Sequence, residues 1–114
     1  MSERRDRDFL EDILEASRRA RRYTAGMDYA QFVRDSKTQD AVIRNLEIIG
    51  EATKRLSDDL RADHEMVPWK NMAGLRDRLI HDYFGVNLDI VWQIASDELP
   101  AVQESIRGII AKMD

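Results

Sequence analysis

The sequence predicts an all-α protein: one antiparallel bundle of about five to six helices spanning residues 1–114. Three observations point there. Strict apolar/polar alternation, the mark of a half-buried strand, is absent. Glycine and proline are few, at 5 and 2. Apolar residues recur instead at steps of three and four, the spacing of one helix face. A hydrophobic fraction of 43% beside a charged fraction of 35% suits a folded chain of amphipathic helices. A chain of 114 residues fits a single domain.

The first helix is expected over about Glu3 to Thr24. Phe9, Leu10, Ile13, Leu14, Ser17, Ala20 and Tyr23 form its apolar stripe, and Gly26 suits the left-handed position past its end. Asp28-Tyr29-Ala30-Gln31 has capping-box form and opens a short helix carrying Tyr29, Phe32 and Val33. Asp35-Ser36 can cap a long third helix, about Lys37 to Leu56, with Val42, Ile43, Leu46, Ile49, Gly50, Thr53 and Leu56 on its buried side. Gly50 costs about 1 kcal/mol relative to alanine inside a helix, which predicts a tight crossing there. Ser57-Asp58-Asp59 reads as the cap of a short turn through Leu60.

Pro68 fits the first turn of a fourth helix, running through Arg76 to about His81 or Tyr83 and closed by Gly85. Asn87 can cap a fifth helix with Leu88, Val91, Trp92 and Ile94. Asp97 can cap a last one, with Pro100 in its first turn and Val102, Ile106, Ile109 and Ile110 buried. Two long helices and several short ones hide this much apolar surface poorly in one small chain, so a dimer interface would help.

Composition excludes several function classes. With no cysteine, there is no disulfide, thiolate metal site or cysteine nucleophile. His64 and His81 are far apart, and no HExxH-type spacing occurs, so no metal and no cofactor are expected. No apolar run is long enough to span a bilayer or form a signal stretch after the charged start, so a cytoplasmic protein is expected. The net charge of −4 means that any contact with RNA must come from local clusters. The Arg18-Arg19-Ala20-Arg21-Arg22 run is one such cluster; its plainer reading is a solvated helix face paired with Glu15 and other acids.

Chemistry concentrates in Arg76-Asp77-Arg78-Leu79-Ile80-His81-Asp82-Tyr83. Histidine moves protons near neutral pH. Arginine keeps its charge and offers a planar fork matched to phosphate. Together they supply what RNA cleavage by the 2′-hydroxyl needs: a group to take or give a proton, and one to stabilise charge growing on the phosphate. On an ideal helix, however, Arg76 and His81 lie about 140° apart. A second copy across a twofold axis could complete the site.

The Arg-x4-His-x-Tyr pattern resembles the signature of HEPN ribonucleases of the HepT type. The resemblance continues in Asn45-Leu46-Glu47-Ile48-Ile49-Gly50-Glu51-Ala52 with Lys54-Arg55-Leu56-Ser57, in Pro68-Trp69, in Gly74-Leu75-Arg76 through Val86, in Asp89-Ile90-Val91-Trp92 and in Asp97-Glu98-Leu99-Pro100. It spans about Phe9 to Ile110. It implies a HEPN-like homodimer whose two Arg/His pairs, Arg76 and His81, face a shared cleft. It also implies metal-independent endoribonuclease activity in the toxin of a type VII toxin–antitoxin system. The partner would be an MntA-type nucleotidyltransferase antitoxin that transfers AMP to Tyr83. Many members have asparagine after the arginine where this chain has Asp77, an acid able to orient His81 or Arg78. The alternative within the resemblance is a non-catalytic partner subunit that binds the nucleotidyltransferase.

Other residues have plainer readings. Trp69 and Trp92 read as packing residues and His64 as a surface residue. Glu47 and Glu51, one turn apart, could face a cleft and bind a partner, but a solvated helix face is the simpler reading.

Overall fold

The computed structural model describes residues 2–80 and 85–113, with the side chains of residues 2–4 left aside. The described part is helical, and its only β-type pairing is one antiparallel bridge between Ile80 and Val86. Three long helices form the bundle: α1 (Ser2–Thr24), α3 (Ser36–Lys54) and α8 (Leu99–Met113). Between them run the shorter α2 (Tyr29–Val33), α4 (Asp58–Asp63), α5 (Trp69–Ala73), α6 (Leu75–Leu79) and α7 (Leu88–Gln93).

α1 packs along both α3 and α8. Near its start, the Asp6 carboxylate accepts from the Ser57 backbone N–H at 2.8 Å and the Ser57 hydroxyl at 2.6 Å, just past the end of α3. Near its end, Arg21 donates to Gln103, early in α8, at 2.7 Å. α3 therefore runs antiparallel to α1. Leu10, Ile13, Leu46, Ile49 and Ile106 are wholly or nearly wholly buried where these helices meet. Burying each such side chain contributes roughly 1.5–3 kcal/mol.

Four of the expected caps are present. Asp28 and Gln31 complete the capping box, and Asp35, Ser57 and Asn87 each accept an N–H from the first turn of α3, α4 and α7. Gly26 takes a φ of +78°, the left-handed position expected after α1. The tight crossing at Gly50 is also real. A Cβ there would meet the Met72 carbonyl oxygen at 3.4 Å and the Leu75 Cβ at 3.6 Å, so α5 and α6 lie directly on α3.

Three expectations are corrected. The fourth helix is not continuous: it breaks at Gly74 into α5 and α6, which ends at Leu79, where Ile80 turns extended with ψ of 130°. Gly85 therefore does not close that helix; with φ of +126° it precedes Val86 at the bridge. Asp97 caps nothing. α7 passes into α8 through a π-turn, Ile94–Glu98, that contains it. These breaks raise the number of helical segments above the five or six expected.

Trp69 is a packing residue, 7% exposed, its indole N–H donating to the His64 carbonyl at 2.9 Å. His64 itself is half-buried, less open than expected. Trp92 packs against the rings of Tyr29 and Phe32, joining α2 to α7. The Tyr29 hydroxyl donates to the Asp89 carboxylate, which pushes the phenol's pKa upward. No helix among the described residues is long and apolar enough to cross a membrane.

Candidate active site

α6 is short, and its position comes from its two buried leucines: Leu75 sits beside α3 where Gly50 leaves room, and Leu79 is buried in the core. Arg76 and Arg78 stand two residues apart on it. Two residues turn a helix by about 200°, so the two guanidiniums leave on opposite sides. Arg78 turns toward the π-turn. It grips Glu98 with two parallel bonds, Nη1 to Oε1 at 3.0 Å and Nη2 to Oε2 at 2.7 Å. That carboxylate holds the guanidinium's pKa further above its ordinary value.

Arg76 turns the other way, onto the lip of an open cleft of about 420 Å³. The cleft is lined by Glu47, Ile48 and Glu51 of α3 and by Phe9 and Asp12 of α1. Arg76 is exposed and, among the described residues, makes no ion pair or hydrogen bond. An unpaired guanidinium over an open cleft can grip a phosphate without first giving up an internal partner.

Of the residues read from the sequence, the cleft brings together Arg76, Glu47 and Glu51. The two glutamates line this open cleft and also fit the simpler reading of a solvated face, since Glu51 is exposed and Glu47 half-buried. Asp77 is exposed and has no hydrogen-bond partner among the described residues. It does not orient Arg78, whose partner is Glu98. His81 and Tyr83 lie outside the described residues. Their flanks are described: Ile80 and Val86 are paired in the bridge, and the Asn87 N–H donates to the Leu79 carbonyl at 2.8 Å. Since α6 ends before His81, the 140° offset of an ideal helix does not govern the relation of Arg76 to His81.

The basic run on α1 behaves as a solvated face. Arg19 pairs with Glu15 at 3.1 Å, Arg21 with Gln103, and the Arg22 guanidinium lies over Tyr23 at 5.7 Å. None of these arginines lines the cleft of Arg76. The cations that do are Arg44, which sequence reasoning missed, and Lys54 and Arg55, which it quoted only as part of the long-helix motif and gave no part in the site. Their signal was the spacing of Arg44, Glu47, Glu51 and Arg55, which repeats every three or four residues along α3. Among the described residues, no three His, Cys, Asp or Glu side chains gather as metal ligands.

Comparison with known proteins is consistent over nearly the whole chain. The family described as "Ribonuclease HepT-like" matches residues 13–109. A protein of Methanocaldococcus jannaschii named "Putative RNase" is 46% identical over 108 residues, covering 95% of this chain and 89% of its own. One of Caldanaerobacter subterraneus subsp. tengcongensis, also named "Putative RNase", is 42% identical, covering 93% and 95%. A third, of Thermococcus cleftensis, is named "Probable ribonuclease HepT" and is 43% identical, covering 88% and 91%. No solved structure matches. With a helical fold and a family match across most of its length, this chain belongs to the HepT-like ribonuclease family.

Proposed function

We propose that the protein is a metal-independent endoribonuclease of the toxin type, acting as a HEPN-like homodimer through Arg76 and His81. The observation that carries this reading is the exposed, unpaired Arg76 guanidinium on the lip of the α3 cleft. A phosphodiester bound there meets a fixed positive charge. The adjacent ribose 2′-oxygen attacks phosphorus and loses its proton to a base. The bond to the 5′-oxygen breaks, and that oxygen takes a proton from an acid. His81 serves one of these transfers, and His81 of a second copy serves the other. Arg76 stabilises the charge that grows on the phosphate oxygens. The products are a 2′,3′-cyclic phosphate and a 5′-hydroxyl. The nucleophile belongs to the RNA and the charge to Arg76, so the scheme asks nothing of a metal.

Control of the toxin falls to an MntA-type nucleotidyltransferase antitoxin that transfers AMP to Tyr83, two residues from His81. The modification adds bulk and negative charge beside the catalytic pair and repels RNA phosphates.

The test is induced expression of the wild type, His81→Ala and Arg76→Ala at matched levels, scoring growth and new 2′,3′-cyclic phosphate ends. The expected result is arrest and cleavage by the wild type and neither by the variants. Retained cleavage in both variants would sink the mechanism. Intact RNA and normal growth with folded, unmodified wild type would make the protein a non-catalytic partner of the transferase.

A further inference from the structure

The last two turns of α1 carry Arg18, Arg19, Arg21 and Arg22, all of them exposed. This run is solvated, but its charge is not balanced. Early in the helix Arg7 pairs with Glu11, one turn away, at 3.3 Å. Toward the end only Arg19 has an acid, Glu15, at 3.1 Å. Arg18 makes no ion pair or hydrogen bond among the described residues, Arg21 takes the neutral Gln103, and Arg22 lies over the Tyr23 ring. Arg18 stands one turn from both Arg21 and Arg22, a spacing at which like charges oppose the helix. The dipole of a helix end favours cations in the last turn, which accounts for Arg21 and Arg22. It does not account for Arg18, a turn further back, nor for Tyr23. The sequence puts Tyr23 in the apolar stripe of α1 with Leu10, Ile13 and Ala20; those three are fully buried, while Tyr23 is 36% exposed.

We propose that the end of α1 is a second RNA contact, outside the cleft, for the flank of a single-stranded substrate: Arg18 and Arg22 hold its phosphates, and the Arg22–Tyr23 pair stacks one of its bases. The chain as a whole carries −4, so four cations within five residues make a local positive surface against that background. A guanidinium fork matches a phosphate. An exposed ring with a guanidinium 5.7 Å from its centroid is a platform for a base, whichever base arrives. An acidic protein would engage the arginines and leave the ring idle, so the pairing of charge with an exposed aromatic favours nucleic acid.

The placement agrees. Asp12 lines the cleft of Arg76, and Arg19 and Tyr23 follow it at seven and then four residues, so all three share one face of α1. At the helical rise, Tyr23 stands about 16 Å beyond Asp12 along the axis, a span that a few linked nucleotides cover. α1 is one unbroken helix from the cleft to the platform, so that distance is fixed. The cleft then performs the chemistry, and the end of α1 selects unpaired strands long enough to touch both. A duplex keeps its bases stacked inside and offers the platform nothing but backbone. The surface rests on its own residues. Its part in substrate choice rests on the ribonuclease reading above.

The experiment measures RNA binding by the full chain through fluorescence anisotropy, for the wild type, the double variant Arg18→Gln/Arg22→Gln, and Tyr23→Leu. The substituted side chains are exposed, so each variant should keep its helical circular dichroism and melting temperature. The probes are a 2′-O-methyl RNA single strand of about 12 nucleotides and a trinucleotide of the same chemistry, neither able to supply an attacking 2′-hydroxyl. The expected result is that the double variant loses about ten-fold in affinity for the long strand and under about two-fold for the trinucleotide, with the slope of log affinity against log salt flatter by about 1.4 on the long strand, as for two lost phosphate contacts. Tyr23→Leu should lose about five-fold on the long strand with the salt slope unchanged. Wild-type affinity that does not grow with strand length, or long-strand binding indifferent to either variant, would overturn the contact. Displacement of the long strand by polyglutamate as readily as by unlabelled RNA would also overturn it and give the surface to an acidic protein. Cleavage of unmodified RNA is scored separately. Length-dependent binding that obeys the variants while RNA stays intact would overturn the ribonuclease mechanism and keep the contact. Cleavage of long RNA by the double variant at the wild-type kcat/KM would do the reverse.

Discussion

On one side of α6, Arg78 closes a two-pronged ion pair with Glu98; on the other, Arg76 overhangs a cleft and pairs with nothing among the described residues. The residues are alike in type, two positions apart, on the same helical turn. They differ in what the fold places opposite them. Arg78 faces the π-turn, whose carboxylate satisfies it. Arg76 faces the outer surface of α3, which offers Glu47 and Glu51 yet does not tie it down. A charge already paired within the protein contributes to structure. A charge left exposed beside a cleft is available to a ligand.

The largest effect should come from Arg76→Ala. Loss of the phosphate-binding charge lowers RNA cleavage by about 10²–10³-fold, while the melting temperature stays at the wild-type value. A large fall in melting temperature would mean that Arg76 supports the fold after all. Next is Gly50→Leu, which drives side-chain atoms into the backbone of α5. Overpacking of this kind costs about 1–3 kcal/mol. It also displaces α6, so stability and cleavage should fall together. A stable, active Gly50→Leu would show that α6 need not rest on α3.

Arg78→Ala should show the inverse of Arg76→Ala. The pair with Glu98 is partly exposed and screened, so its loss costs about 0.5–1 kcal/mol. The melting curve records that as a fall of a few degrees, with cleavage near wild type. Smallest is Asp77→Asn. Removing an exposed negative charge near the phosphate should raise cleavage by about two-fold, less at high salt, without changing the melting curve. Slower cleavage would give Asp77 a positive role.

The long helices were legible because their apolar residues keep one period, and the caps at Asp28, Asp35, Ser57 and Asn87 because those side chains suit an N-terminus wherever they stand. The break at Gly74 was not legible: a lone glycine inside a helical pattern more often passes than interrupts. Asp97 misled because Asp-x-x-Pro has the form of a helix start, while the chain was already helical and only changed pitch. Arg76 could be picked out from its motif, but not that it would be unpaired while Arg78 is held. Arg78 and Glu98 are 20 residues apart in sequence, so no local pattern links them. Glu47 and Glu51 were visible as one face of α3, but whether that face meets water or a cleft depends on where α1 and α6 pack.

The π-turn at Ile94–Glu98 works as a phase shifter. A π-turn holds one residue more than an α-turn, so it advances everything after it by about 100° relative to what precedes it. α7 can thus aim Trp92 at α2 while α8 aims Val102, Ile106 and Ile109 at the bundle core, within one unbroken helical run. Deleting a single residue there, such as Ser96, would leave a smoother helix and a worse protein. Either the contact with α2 or the register of α8 would have to yield, and Glu98 would swing away from Arg78. Chains of this length with a gap at that point should lack an arginine–glutamate pair at these positions.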